Sequence, residues 1–163
     1  MKIGITGHQY LPEKSTWDWV EHEIEHAIKS INTEQKLIGL SSLAIGADQL
    51  FARLILKAGG RLHAIIPFAG YELTFNTSED LASYKDLISK AFEVQTLNAE
   101  ANDEESFFAA GKRIATECDV LVAVWNGKKA KGLGGTADVV HYAQKYGKRI
   151  FHLNTLTYSV TQL

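Results

Sequence analysis

The run Val120-Leu121-Val122-Ala123-Val124-Trp125-Asn126-Gly127, followed by the lysine-rich link 128–131 and then Gly132-Leu133-Gly134-Gly135-Thr136-Ala137-Asp138, decides how this chain folds. Val120 to Trp125 is apolar at every position, without the alternation of a half-exposed strand. Such a run reads as a strand buried on both faces, the signature of a parallel sheet covered by helices. The glycines then turn the chain sharply. Gly135 to Tyr146 carries helical spacing and stops at Gly147. A buried strand, a glycine turn and a helix are the first three parts of a βαβ unit.

The same alternation extends in both directions. Lys2 to Thr6 is a strand ending at Gly7. Ser15 to Asn32 is a helix in which Trp17, Val20, Ile24, Ala27, Ile28 and Ile31 share one face, with Ser15 as the expected N-cap. Leu37 to Leu40 is a strand, Gly46 to Ala58 a helix stopped by Gly59-Gly60, and Leu62 to Pro67 a strand. Tyr71 to Ser78 reads as irregular. Glu79 to Ala91 is a helix, Val94 to Leu97 a strand, Asn102 to Glu117 a helix and Arg149 to Leu153 a strand. The tail after Asn154 carries no element signal. The expected architecture is α/β: a Rossmann-like three-layer sandwich, with a mostly parallel sheet of about six strands and helices on both faces. The 163 residues (45% hydrophobic, 22% charged) suit a single domain spanning 1–163.

The bulk numbers also narrow the function. One cysteine, Cys118, permits no internal disulfide, which fits a reducing, cytoplasmic setting. No stretch approaches the ~20 apolar residues of a membrane helix, and Met1 to Gly7 is too short an apolar run for a signal peptide. A formal net charge of −2 argues against a nucleic-acid backbone as partner. The densest basic cluster, Lys128, Lys129 and Lys131, suits a small anion.

Ligands of open parallel sheets bind beyond the carboxyl ends of the strands. The residues placed there are Gly7-His8-Gln9-Tyr10, Ser41-Ser42 with Gly46-Ala47-Asp48, Pro67-Phe68, and 126–138. Gly134, Gly135 and Thr136 open a helix. Their backbone N–H groups, the positive end of the helix dipole and the Thr136 hydroxyl form an expected phosphate cradle, with Asn126 and Asp138 beside it. The alternative is a plain turn and cap. Asp48 either accepts hydrogen bonds from a ribose hydroxyl or complements the dipole of its own helix. His8 either binds a phosphate or base or is a satisfied surface histidine. The dinucleotide pattern G-x-G-x-x-G is absent after the first strand, which argues against a dehydrogenase.

His22-Glu23-Ile24-Glu25-His26 matches H-E-x-x-H, a zinc protease motif. At about 100° per residue, each histidine lies roughly 160° from Ile24, the centre of the apolar stripe, and so faces solvent. No metal and no cofactor is expected.

With these residues in view, the chain resembles the SLOG superfamily of Rossmann-like nucleotide-binding proteins, which includes the LOG phosphoribohydrolases and the DprA/Smf proteins. The resemblance covers most of the chain. It rests on Gly4-Ile5-Thr6-Gly7-His8, Ser42-Leu43-Ala44-Ile45-Gly46-Ala47-Asp48-Gln49, and 118–127 running into Gly134-Gly135-Thr136-Ala137-Asp138. It is strongest with small bacterial members carrying a GGTADVV motif. LOG enzymes carry P-G-G-x-G-T-x-x-E with a catalytic glutamate. Alignment on Gly135-Thr136 puts Val139 at that glutamate, with Asp138 one residue earlier and about 100° away on the helix. The LOG Arg-Lys pair has only a loose counterpart in Lys112-Arg113. The nucleoside 2-deoxyribosyltransferases, a related group with a glutamate nucleophile on the equivalent helix, differ at the same place.

The resemblance therefore implies a phosphate cradle and a nucleotide or nucleoside phosphate as partner, in a sensor or carrier. An N-glycosidase, phosphoribohydrolase or deoxyribosyltransferase is the alternative, with Asp138, Glu105 and Glu72 as candidate catalytic carboxylates. DprA-like single-stranded DNA binding ranks last. A homodimer is implied by analogy with LOG-like proteins.

Overall fold

A computed structural model describes residues 1–31, 36–97, 104–129 and 134–163. The elements run β1 (Lys2–Gly7), α1 (Lys14–Ile31), β2 (Ile38–Ser41), α2 (Ala47–Lys57), β3 (Arg61–Ile66), a 3₁₀ turn (Tyr71–Thr74), α3 (Ser78–Lys90), β4 (Glu93–Thr96), α4 (Glu104–Glu117), β5 (Val120–Trp125), α5 (Thr136–Lys145), β6 (Arg149–Asn154) and β7 (Ser159–Gln162). They build one seven-stranded sheet in the order β4-β3-β2-β1-β5-β6-β7. All neighbours are parallel except β6 and β7. This is the α/β Rossmann-like architecture expected from the alternation of elements.

Period-2 alternation in the strands divides the core into two layers. Ile3, Ile5, Val120, Val122 and Val124 point to one face and pack on α1 and α2. Leu121 and Ala123 point to the other face and pack on Ala110 and Ile114 of α4 and Val140 and Ala143 of α5. A third cluster joins Leu62, Ala64 and Ile66 of β3 to Tyr84 and Leu87 of α3. Val122 and Leu121 are both 0% exposed, so β5 is covered on both sides as its unbroken apolar run requires.

Several sequence expectations are corrected. The sheet has seven strands among the described residues, one more than the six placed from the sequence. The seventh, β7, lies at an edge and is mostly exposed, with no apolar alternation to announce it. It is positioned by a turn in which the Asn154 side chain accepts from the N–H groups of Leu156 and Thr157 and Tyr158 takes φ 51°. Ser15 is not a cap: α1 starts at Lys14, and the Ser15 hydroxyl donates to Glu13. The segment expected to be irregular contains the 3₁₀ turn. Asn102 lies outside the described residues. His22 and His26 are exposed, as the helical geometry requires. Among the described residues, no helix is long and apolar enough to cross a membrane.

Candidate functional site

Strand order sets where a crevice can form. From β1 the chain steps outward through β2, β3 and β4, then crosses to β5 on the opposite side of β1. The connections leaving β1 and β5 therefore diverge to opposite faces, and their carboxyl ends are a topological switch point. A cleft of about 620 Å³ opens there, within the roughly 300–1,000 Å³ typical of small-molecule sites. Of the residues singled out in the sequence, Gly7, His8, Ser42, Asp48, Asn126, Gly134, Gly135 and Thr136 line it. Gly46, Asp138, Glu72 and Glu105 are not among its lining residues.

One wall is the start of α5. Gly135 is its N-cap with extended backbone (φ −71°, ψ 170°), and, having no side chain, it supplies no side-chain cap; among the described residues no other is seen there. Gly134 has φ +84°, and a Cβ there would sit 2.7 Å from the Glu104 carbonyl oxygen. Only glycine can therefore pass between α4 and α5 at this point. The Gly134 N–H donates to Asp138 Oδ2 at 2.9 Å, so that carboxylate folds back to close the turn. The open helix end thus faces the cleft, with Lys128 and Lys129 on the same rim. Gly132, Leu133 and Lys131, part of the expected cradle, lie outside the described residues.

The end of β1 forms the floor. His8 N–H donates to the Val124 carbonyl, and the His8 carbonyl accepts from Ala47 N–H at 3.1 Å. His8 Nε2 accepts from Asn126 N–H at 3.1 Å, which places the ring proton on Nδ1. Burial lowers the His8 pKa below the ordinary value against an opposing contribution from the Asn126 side chain, and the Asn126 N–H donating to Nε2 favours the neutral ring. Gly46 plays a different part from the expected ligand contact. It has φ +81°, and a Cβ would stand 2.4 Å from the Gln9 carbonyl oxygen. Its missing side chain lets the loop after β1 cross directly over the start of α2.

Asp48 holds the loop after β2. It is buried, and its Oδ2 accepts from Ser41 Oγ at 3.1 Å and Ser42 N–H at 3.0 Å. Burial pushes its pKa up to about 7 against the opposing pull of these hydrogen bonds. Leu43 sits between them at φ 58°, a left-handed conformation costing a bulky residue on the order of 1 kcal/mol. Ser41 Oγ accepts its N–H, and Gln49 Nε2 donates to its carbonyl. Asp48 thus organises the cleft from behind. The ribose-binding role expected for it would compete with these bonds.

Several lining residues carry no motif that sequence could expose: Tyr71, Glu104, Phe107 and Gly111 all line the cleft, with Thr6, Trp125 and Val139 from the motifs already named. Tyr71 is fixed edge-to-face against Phe68, Phe75, Tyr84 and Phe107, and burial with the nearby Asp48 charge raises its hydroxyl pKa. Val139 packs against Gly111, where a Cβ would lie 2.5 Å from Val139 Cγ2. The wall at the position of the LOG glutamate is consequently apolar.

No family model and no curated protein matches the chain. Solved structures do. DNA processing protein A (DprA) from Streptococcus pneumoniae is 20% identical with a TM-score of 0.68, over 93% of this chain and 49% of that one. DprA from Helicobacter pylori is 16% identical with a TM-score of 0.66, over 93% and 64%. The Moco Carrier Protein from Chlamydomonas reinhardtii is 17% identical with a TM-score of 0.55, over 94% and 75%. The chain thus spans 49% and 64% of the two DprA chains. It has their Rossmann-like fold, the fold expected from the SLOG resemblance.

Proposed function

We propose that the chain binds a nucleotide or nucleotide-derived ligand in the cleft between β1 and β5, as a sensor or carrier. The observation that carries this reading is the open start of α5. Among the described residues its first turn has no side-chain cap, it lines a cleft of ligand size, and Lys128 and Lys129 line the same cleft. Uncapped N–H groups and a positive dipole end attract an anion, and glycine lets it approach the backbone.

Binding is favoured over bond cleavage. Asp138 is turned back onto Gly134, and Glu72 and Glu105 are not among the residues lining the cleft. Val139, at the LOG glutamate position, contributes an apolar surface. Cleavage of an N-glycosidic bond needs a carboxylate beside the forming oxocarbenium centre; of the two acidic residues that line the cleft, Asp48 is committed to Ser41 and Ser42 and Glu104 opens α4. The similarity to a protein named for carrying Moco fits a carrier role.

The test is thermal unfolding with nucleotides, nucleotide sugars and inorganic phosphate. A phosphorylated nucleoside at about 100 times Kd adds about 2.7 kcal/mol of stability. Failure of every phosphorylated compound to raise Tm would sink this reading. The two DprA structures, one described for its single-stranded DNA binding mode, favour a second reading. A salt-sensitive mobility shift with single-stranded DNA is its test, since phosphate contacts weaken as salt rises.

A further inference from the structure

The cleft does not end at Tyr71 and Phe107. A smaller hollow of about 190 Å³ adjoins it and shares Gln9, Ala44, Tyr71 and Phe107 with it. The two ends of this combined space differ in chemistry. At α5 the walls are uncapped backbone and lysine. In the hollow they are aromatic rings, Tyr71, Phe75 and Phe107, with Tyr10 at the rim.

We infer that this hollow is a separate subsite for a nucleobase, occupied by the ring of a ligand whose phosphate sits at the start of α5. The inference rests on the reading of that helix end as the phosphate site. Three observations carry it. Tyr10 is 73% exposed, a large ring standing in solvent beside a cavity. An exposed ring at a cavity rim is a stacking surface for a planar group. Its loop is anchored at the base, because His8 bonds to both Val124 and Ala47 and Gln9 passes over Gly46. The ring is therefore carried on backbone ordered before any ligand arrives.

The hydrogen-bonding groups complete the argument. Gln9 and Asn76 line the hollow, and their exposed side-chain amides have no hydrogen-bond partner among the described residues. Each offers two N–H donors and a carbonyl acceptor. A base edge presents both donors and acceptors, so neutral amides match it where a lysine or carboxylate would not. Two other polar side chains that line it already have partners. Thr74 Oγ1 donates to the Tyr71 carbonyl, and Asp80 Oδ2 accepts from Thr77.

Calorimetric titration of the full chain with ribose 5-phosphate, the four nucleoside 5′-monophosphates and the free nucleosides tests this. The variants are Tyr10→Ala and Asn76→Ala, both exposed in the folded chain, with Gly134→Ala at the phosphate end. At least one nucleotide should bind about tenfold tighter than ribose 5-phosphate. Tyr10→Ala should remove that advantage, a factor of about ten at the low end of base–aromatic stacking, and leave ribose 5-phosphate binding unchanged. Equal binding of nucleotides and ribose 5-phosphate by the wild type overturns the inference. So does nucleotide affinity unaltered in both Tyr10→Ala and Asn76→Ala, or absence of binding by every probe. A nucleoside that binds in a Tyr10-dependent but Gly134-independent way retains the hollow and overturns the phosphate site instead.

Discussion

Asp48 and His8 beside the cleft are both pushed towards their uncharged forms, by the same cause. Burial raises the acid and lowers the base. The two consequences for stability run in opposite directions. Asp48 has a folded pKa of about 7 against an ordinary 3.8. The folded chain therefore holds a proton that the unfolded chain releases between about pH 4 and pH 7, and stability falls as pH rises through that window. Asp48→Asn keeps an acceptor for Ser41 and Ser42 without the charge. Urea unfolding across pH 4–8 should show the wild type losing stability relative to this variant up to about pH 7 and running parallel above it. His8 acts at the other end. Its lowered pKa costs stability as pH falls below its ordinary value of 6.5.

Gly134 is the residue where conformation and function meet. A side chain there is opposed both by φ +84° and by the Glu104 carbonyl 2.7 Å away. Gly134→Ala should cost about 1–2 kcal/mol from backbone handedness alone, read as a lower urea midpoint. It should weaken phosphate-bearing ligands by more than any change confined to the lysines. Phosphate binding unchanged in this variant would remove the turn from the site.

At the scale of elements, the α4–α5 pair sets the position of the cradle. Gly111 and Val139 form its closest contact, with 2.5 Å between a built Cβ and Val139 Cγ2. Alanine at 111 gains helix propensity worth about 1 kcal/mol but drives a methyl into Val139, an overpacking cost of about 1–3 kcal/mol. Gly111→Ala should destabilise on balance. In a Val139→Ala background the same change should stabilise, because the propensity gain is left and the clash is gone. A double-mutant cycle by chemical denaturation checks the reversal of sign. The helix spacing that predicts α4 and α5 also shows which residues face inward. It does not show that a valine and a glycine meet across them, because that depends on how two helices cross. The strand β7 escaped notice for a related reason. Its pairing with β6 comes from backbone bonds such as the ladder contact of Leu153 with Val160, while its side chains are mostly exposed.

For the molecule as a whole, the switch between β1 and β5 gathers loops from distant parts of the chain. Residues 7–9, Ser42, Ala44 and Asp48, and residues 134–137 line one cleft. A ligand bridging them should protect all three segments together in hydrogen exchange, with the largest gain at the start of α5. Protection confined to one segment would place the ligand elsewhere.

The order of strands and helices, the doubly buried β5 and the glycine turn opening α5 follow from the sequence by itself. Periodicity and backbone freedom are local properties, written within a few residues. The list of turns after strands was likewise legible, and Gly7, His8, Ser42, Asp48, Asn126 and Gly134 to Thr136 from it stand around one cleft. Tertiary structure alone decided how those residues are used. It turned Asp138 back onto Gly134, locked Asp48 behind Ser41 and Ser42, and placed Gly46 under a crossing loop. It also brought Tyr71, Phe107 and Val139 to the cleft from three separate segments. Contacts between residues far apart in the chain depend on packing angles and burial, which no local pattern records.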